Sequence, residues 1–320
     1  MSAPCRSNKK LIMCQSPAAC QRRLDGASRS LPKSGVSDNF PLAEMQKDPC
    51  ALIVKKEVWG DYCLLRLHSP RIAREAKPGQ FLMVRVGDQP YPLLRRPFSI
   101  HARERSSLEI FFAKTGAGTA ILAGRNPGEA LDIIGPLGKG FRLGGKKGTG
   151  RTAFLVGGGR GIAPIYFLAK ELRSRGVRTR IFYGGRTESH LPLLSKFAEQ
   201  GFDIFVSTDD GTLGYHGFIC PMLEREVERW LNAPRRGPGR APRRPEVYAC
   251  GPDAMMKGVA EIAASHRLPA QFSLESIMGC GIGACWGCVK RIKRPGGADW
   301  VKICEEGPVF KDTEIVWKEA

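Results

Sequence analysis

The apolar pattern changes period once along this chain, and that change calls for two differently built layers. From Ala51 to about Ile134 it runs in short β-rich segments, CLLRLHS, QFLMVRV, PFSIHAR and SLEIFFAK, broken by Gly, Pro and charged turns. Runs of that kind predict a small antiparallel barrel. After Gly148 and Gly150 strand-like and helix-like segments alternate: RTAFLVGGG, IAPIYFLAKELRSRG, VRTRIFYGG, LPLLSKFAEQ, FDIFVSTDD, PEVYACG and PDAMMKGVAEIAASH. Such alternation predicts a parallel sheet covered by helices. The expected fold class is therefore β-barrel plus α/β, with an N-terminal extension over 1–45, a barrel unit over 46–147, an α/β unit over 148–265 and a small C-terminal unit over 266–320. No internal repeat is visible.

The C-terminal unit holds the most specific chemical signal. Cys280, Cys285 and Cys288 stand in the run CGIGACWGC, and Cys304 follows sixteen positions later. One tight loop can present three thiolates only if it bends sharply, which Gly281, Gly283 and Gly287 permit. The spacing is that of a four-thiolate iron-sulfur centre of the [2Fe-2S] type, a carrier of single electrons. Its competitor is a four-cysteine zinc site, although structural zinc usually shows two Cys-x2-4-Cys knuckles, and here the fourth cysteine stands alone. Small residues such as Ala284 leave room for inorganic sulfide and for loop amides aimed at it. From about Phe272 onward the segment is too short to bury a core of its own, so it is expected to fold around its metal.

At 320 residues and 42% hydrophobic content the chain can bury real cores. The most apolar stretch, Thr152 to Leu168, is interrupted by Arg160 and by glycines and reads as strand plus helix, so no membrane span is expected. Eleven cysteines in so long a chain, four of them at ligand spacing, favour a reducing cytoplasm over a disulfide scaffold. The formal charge of +19 raises nucleic acid as a partner. Much of that charge has local sources, in the basic N-terminal extension and in the insertion Pro234 to Pro245, PRRGPGRAPRRP. No base-reading motif accompanies it, so specific nucleic-acid recognition is not expected.

Two further constellations suit dinucleotides. Arg95, Arg96, Pro97, Phe98 and Ser99 lie on a predicted strand, and Lys114 to Thr119, KTGAGT, follow the next one. Glycine-flanked amides, a Thr119 hydroxyl placed to cap a helix and a fork-shaped Arg96 suit a pyrophosphate, which points to a flavin dinucleotide. Leu155 to Pro164, with Gly157, Gly158, Gly159 and Gly161, forms a glycine-rich strand-to-helix turn that would let a second dinucleotide approach the backbone. Cys250, Gly251 and Pro252 end the last clear strand of that sheet, at the edge where α/β folds bind ligands; Cys250 reads equally as a nicotinamide contact and as a buried small hydrophobe. Asp209 and Asp210 follow FDIFVST; a carboxylate there would accept from a ribose hydroxyl and repel a 2′-phosphate, favouring NAD over NADP, while both also suit an ordinary turn.

Taken with RRPFSI, KTGAGT, IIGPLGKGF, FLVGGGRGIAPI, YACGPDAMMK, CGIGACWGCVKRI and KICEEGPVF, the chain from about residue 46 to 317 resembles the electron-transfer subunits of class B dihydroorotate dehydrogenase. These belong to the ferredoxin-NADP reductase superfamily. The resemblance implies that Arg96, Pro97, Phe98 and Ser99 grip FAD, with Phe111, Phe112, Ala113, Gly118 and Thr119 lining the rest of it. It assigns Gly157 to Gly161 and Cys250 to Pro252 to NAD, and Cys280, Cys285, Cys288 and Cys304 to the cluster. It also implies a cytoplasmic heterotetramer with two FMN-containing catalytic subunits, acting in pyrimidine biosynthesis. In that reading electrons from dihydroorotate pass through [2Fe-2S] and FAD to NAD+. No acid-base residue for dihydroorotate is evident in this chain, so that chemistry is expected on the partner. Two alternatives stand beside this: an NAD(P)H oxidoreductase subunit serving ferredoxin or a sulfur compound, and a zinc-stabilised basic scaffold. The basic insertion and the N-terminal extension depart from the family pattern, away from its motifs.

Overall fold

The computed structural model describes residues 45–317, apart from 88, 90, 145–149 and 234–243. The N-terminal extension and nearly all of the basic insertion expected over 234–245 lie outside the described residues. Arg244, at the insertion's end, donates to the His266 and Arg267 carbonyls.

Six antiparallel strands close a barrel in the order β1-β2-β5-β4-β3-β6. They are β1 (Lys47–Trp59), β2 (Tyr62–His68), β3 (Phe81–Arg85), β4 (Arg96–Arg103), β5 (Ser107–Ala113) and β6 (Ala130–Leu137). Two short helices, α1 (Pro70–Glu75) and α2 (Ala117–Gly124), connect them. Period-two alternation builds the interior: Leu131 and Ile133 of β6 are buried with Ile53, Leu65, Val84, Ile100 and Ile110 in one cluster. Pairing of β1 with both β2 and β6 closes the barrel and removes its free edges.

The second layer is a seven-stranded sheet in the order β10-β9-β8-β7-β11-β12-β15. Its strands are β7 (Thr152–Gly158), β8 (Arg178–Gly185), β9 (Asp203–Thr208), β10 (Tyr215–His216), β11 (Glu246–Cys250), β12 (Ala270–Ser273) and β15 (Val309–Lys311). All neighbours are parallel except β12 and β15. Helices α3 (Ile162–Ser174), α4 (Leu194–Glu199), α5 (Ile219–Leu231) and α6 (Asp253–Ser265) link the parallel strands. Both faces of β7 are covered, which is why it reads as an unbroken apolar run. Ala153 and Leu155 pack with α3, while Phe154 and Val156 pack with Leu223 of α5 and Val259 of α6.

The small C-terminal unit expected over 266–320 contributes two strands to this sheet. Ala270–Ser273 and Val309–Lys311 are two of its strands, and between them lie the hairpin β13 (Val289–Arg294) with β14 (Gly297–Lys302) and the short helix α7 (Ile303–Glu306). Cys288, Ile292, Val301, Ile303 and Cys304 share one core cluster with Phe154 and Phe272. The arm shares the core of the main sheet because its own apolar side chains are too few to make one.

Helix α3 joins the layers by packing on β4. His101 of β4 is fully buried, stacks on Tyr166 at 4.6 Å and donates from Nδ1 to the Ala163 carbonyl at 3.0 Å. Burial, then the Lys196 charge, push its imidazole down to about 3, so the ring is neutral. Beside it Glu109, only 3% exposed, accepts from Arg66 Nη2 at 2.7 Å and from Lys196 Nζ at 2.9 Å. Burial alone would raise this carboxyl, but Lys196 and the other cationic contacts outweigh it and hold the group at about 2 against an ordinary 4.5. A carboxyl depressed on folding stabilises the fold above pH 4.5, and that contribution is lost as the pH falls towards 2. Glu109→Gln is expected to cost about 3 kcal/mol at neutral pH and to flatten the decline in stability over this acid range. Urea midpoints across the pH series check this; an unchanged acid profile would contradict it.

Candidate functional site

The loop after β12 and Cys304 of α7 gather the four cysteines into two pairs. Cys285 N–H donates to Cys280 Sγ at 3.3 Å, and the same sulfur receives the Ile282 amide at 3.5 Å. Cys304 Sγ receives the Gly283 amide at 3.2 Å and lies beside Cys288. Among the described residues no three His, Cys, Asp or Glu side chains gather tightly enough for a single metal ion. Two plus two is the distribution that a pair of irons takes, and amides aimed at sulfur suit thiolate ligands, so the donor set fits a two-iron centre. Burial opposes ionisation of Cys280, but amide donation from Ile282 and Cys285 outweighs it and lowers the thiol to about 7. Gly281, at φ +71, packs against the Met83 side chain of β3, so the ligand loop rests on the barrel.

A cavity of about 470 Å³ opens next to this loop. Pro97, Phe98 and Ser99 of β4 and Phe111, Phe112 and Ala113 of β5 form its barrel wall, with Thr115 and Thr119 beyond. Tyr62 stacks flat on Phe111, with centroids 5.6 Å apart. Arg96 and Gly118 stand beside the cavity: Arg96 Nη1 donates to the Leu94 carbonyl at 2.7 Å, and a Cβ at Gly118 would lie 3.1 Å from Arg96 Nε. Thr119 is the third residue of α2, and its hydroxyl accepts the Thr115 and Gly116 amides at 2.8 and 3.1 Å. An apolar, aromatic-lined cleft next to a helix N-terminus and an arginine fork fits a flavin with its pyrophosphate.

The opposite wall comes from the carboxyl ends of the parallel strands, where the strand order reverses between β7 and β11. Arg160 and Ala163 follow β7, and Cys250 ends β11. Here the glycines do two different jobs. Gly157, Gly158 and Gly161 lack side chains because Ile162, Met255 and the Cys250 carbonyl occupy those spaces. Gly159 alone of the four, at φ +52, faces open space, so it is the one that leaves room for a ligand.

The chain matches the model of the iron-sulfur cluster binding domain of dihydroorotate dehydrogenase B over residues 275–316. It is 35% identical to the dihydroorotate dehydrogenase B (NAD+) electron transfer subunit of Desulforamulus reducens, across 79% of this chain and 92% of that relative. The corresponding subunit of a Geobacillus species is 36% identical across 85% of this chain and 99% of its own length. The chain belongs to this family of electron-transfer subunits. A solved NADH-dependent reduced ferredoxin-NADP oxidoreductase superposes with a TM-score of 0.68 at 28% identity, covering 84% of this chain and 91% of that one. A ferredoxin NADP+ reductase from Neisseria gonorrhoeae, at 18% identity and a TM-score of 0.53, shares the fold across 69% of this chain and 91% of its own. The barrel plus α/β architecture expected from the sequence is thus the ferredoxin-reductase-like fold. An electron-transfer subunit also implies a catalytic partner subunit. Among the described residues no helix is long and apolar enough to cross a membrane.

In this electron-transfer subunit the residues expected on the nicotinamide side separate. Cys250 lines the cavity; Gly251 and Pro252 pack against the turn, Gly251 against Gly158 and Pro252 against the same glycine. Asp209 lies farther out at the end of β9, its amide donating to the Gly185 carbonyl at 3.0 Å. Asp210 accepts from the Thr212 amide and hydroxyl, which makes it a turn residue. Sequence reasoning missed the third wall, Ser273 to Met278. No periodic signal marks it, because the strand that leads into it is four residues long. Within that wall Glu275 is exposed on its surface, yet the protein packed around it desolvates its carboxyl and raises it despite the opposing charge of Arg160. Burial and the Glu275 charge also push the Cys250 thiol up.

Gly161→Ala would drive a Cβ into the Cys250 backbone, which cannot move aside without shifting β11. It is expected to cost about 3 kcal/mol, the upper end of overpacking penalties. Gly159→Ala meets only the left-handed backbone penalty of about 1–2 kcal/mol. Chemical denaturation of the two variants checks this order.

Proposed function

We propose that this chain receives electrons that an FMN-containing catalytic partner takes from dihydroorotate and delivers them to NAD+. The observation that carries the proposal is the continuity of one cavity. Its walls are the barrel strands, the switch point of the sheet, and the Ser273–Met278 segment that leads directly into the cysteine loop. This continuity supports a flavin site between the sheet's switch point and the cysteine loop.

Cys280, Cys285, Cys288 and Cys304 would hold a [2Fe-2S] cluster. Arg96 to Ser99, Phe111 to Ala113, Gly118 and Thr119 would hold FAD, and the Gly157–Gly161 turn with Asp209 and Cys250 to Pro252 would hold NAD. When bound, the flavin supplies the exchange between two-electron hydride chemistry and one-electron transfer. The chain's own residues do the positioning. Arg96 supplies fixed positive charge for phosphates at the first turn of α2, where helix amides add to it. Phe111, braced by Tyr62, and Phe98 exclude water from the barrel wall. Ser99 offers a hydroxyl from the same wall. The barrel unit over 46–147 and the α/β unit over 148–265 thus supply one side each, and the arm between β12 and β15 carries the cluster. Thiolate ligands persist in reducing compartments, so we assign the complex to the cytoplasm, as a heterotetramer of two catalytic and two electron-transfer subunits.

Anaerobic purification with flavin, iron, sulfide and zinc analysis tests the reading: one flavin, two irons and two sulfides per chain are expected. Cys285→Ser is expected to lose the iron and the coupled dihydroorotate to NAD+ activity measured with the catalytic partner, while keeping NADH-dependent reduction of the flavin. Zinc without flavin in the parent protein would refute the proposal.

A further inference from the structure

An ion pair from the end of β14 and α7 lies against the cysteine loop. Lys302 stands two residues before Cys304 and Glu305 directly after it. Lys302 Nζ is 2.6 Å from Glu305 Oε2, donates to the Gly283 carbonyl at 2.9 Å and lies 5.4 Å from the centroid of the Trp286 ring. Gly283 sits between the two cysteine pairs. Its amide donates to Cys304 Sγ at 3.2 Å, its φ of +82 favours glycine, and a Cβ there would lie 2.9 Å from Glu305 Oε2. The Gly283 carbonyl is held by Lys302 Nζ, and the Cys285 N–H, two residues on, donates to Cys280 Sγ at 3.3 Å.

The ammonium thus lies against the loop whose amides donate to the Cys280 and Cys304 sulfurs. Net charge and hydrogen bonds to sulfur are two of the factors that set an iron-sulfur potential. By its charge Lys302 favours the reduced, more negative centre, and Glu305, adjoining Cys304, opposes it. Neither side chain is a ligand candidate, and both remain partly exposed, at 22% and 34%.

We propose that the Lys302–Glu305 pair poises the reduction potential of the four-cysteine centre, Lys302 raising it and Glu305 lowering it. The inference rests on the two-iron reading above. Iron and sulfide content of the parent protein tests that reading by itself, so the two can fail separately.

The test is a redox titration of the cluster's paramagnetic resonance signal in the full-length chain, purified anaerobically, with Lys302→Met, Glu305→Gln, the double variant and Lys302→Arg. Poised at the parent midpoint, the ratio of reduced to oxidised centre is expected to fall severalfold in Lys302→Met and to rise severalfold in Glu305→Gln. Each tenfold change corresponds to about 59 mV for one electron. The double variant and Lys302→Arg are expected to stay near the parent, and high salt is expected to shrink the differences. If the pair only braced the loop, both single variants would break the same contact and shift the potential in one direction or not at all. Either result overturns the proposal. Should Lys302→Met fail to retain iron, Glu305→Gln decides alone, because an unchanged or lowered potential there contradicts the assigned sign.

Discussion

The close approach of the Gly161 backbone to the Cys250 carbonyl is the contact on which the rest of the site depends. It sets the turn that follows β7 against the end of β11 at the point where the sheet reverses its strand order. Because no side chain intervenes, α3 can start there and run back over the barrel. Once α3 is seated, His101 holds it to β4 by stacking on Tyr166 and donating to the Ala163 carbonyl, while Glu109 of β5 ties α4 to the barrel through Lys196. Strands β4 and β5 also form the cavity's barrel wall.

The cysteine arm follows the same economy of cores. A loop of glycines and thiols has little apolar surface, so it would be a weak fold on its own. Threaded between β12 and β15, it shares Phe154 and Phe272 with the main sheet and leans on Met83 of the barrel. Electron carriers gain from such rigidity, since transfer depends on fixed separations and fixed surroundings. The polar contacts of the loop serve the surroundings: amides reach the Cys280 and Cys304 sulfurs, while Lys302 and Glu305 place opposite charges beside them.

The glycine-rich turn shows where motif reading and packing diverge. Read as a motif, all four glycines suggest a dinucleotide drawn close to the backbone. In the fold, Gly157, Gly158 and Gly161 are required by neighbouring protein atoms, and only Gly159 leaves open space. The two aspartates after β9 diverge likewise: Asp210 is occupied by Thr212, whereas the amide of Asp209 anchors the strand end. Identical residue types in adjacent positions thus carry different duties, which only their partners reveal.

What the sequence determined by itself were the features whose parts lie close together along the chain. Period-two runs built the barrel, strand and helix alternation built the parallel sheet, and the cysteine spacing located the electron-carrier loop. Each rests on local geometry: the pleat of a strand, the turn of a helix, the reach of a short loop. The tertiary structure alone decided the third wall of the cavity, the buried cluster joining the layers, and the merging of the C-terminal arm with the sheet. Strands β12 and β15 are four and three residues long, too short to show a period. Arg66, Glu109 and Lys196 are far apart in sequence and meet only because the barrel closes and α4 packs against it. Contacts of that kind arise from topology and the need to pair buried charge, and no local pattern encodes them.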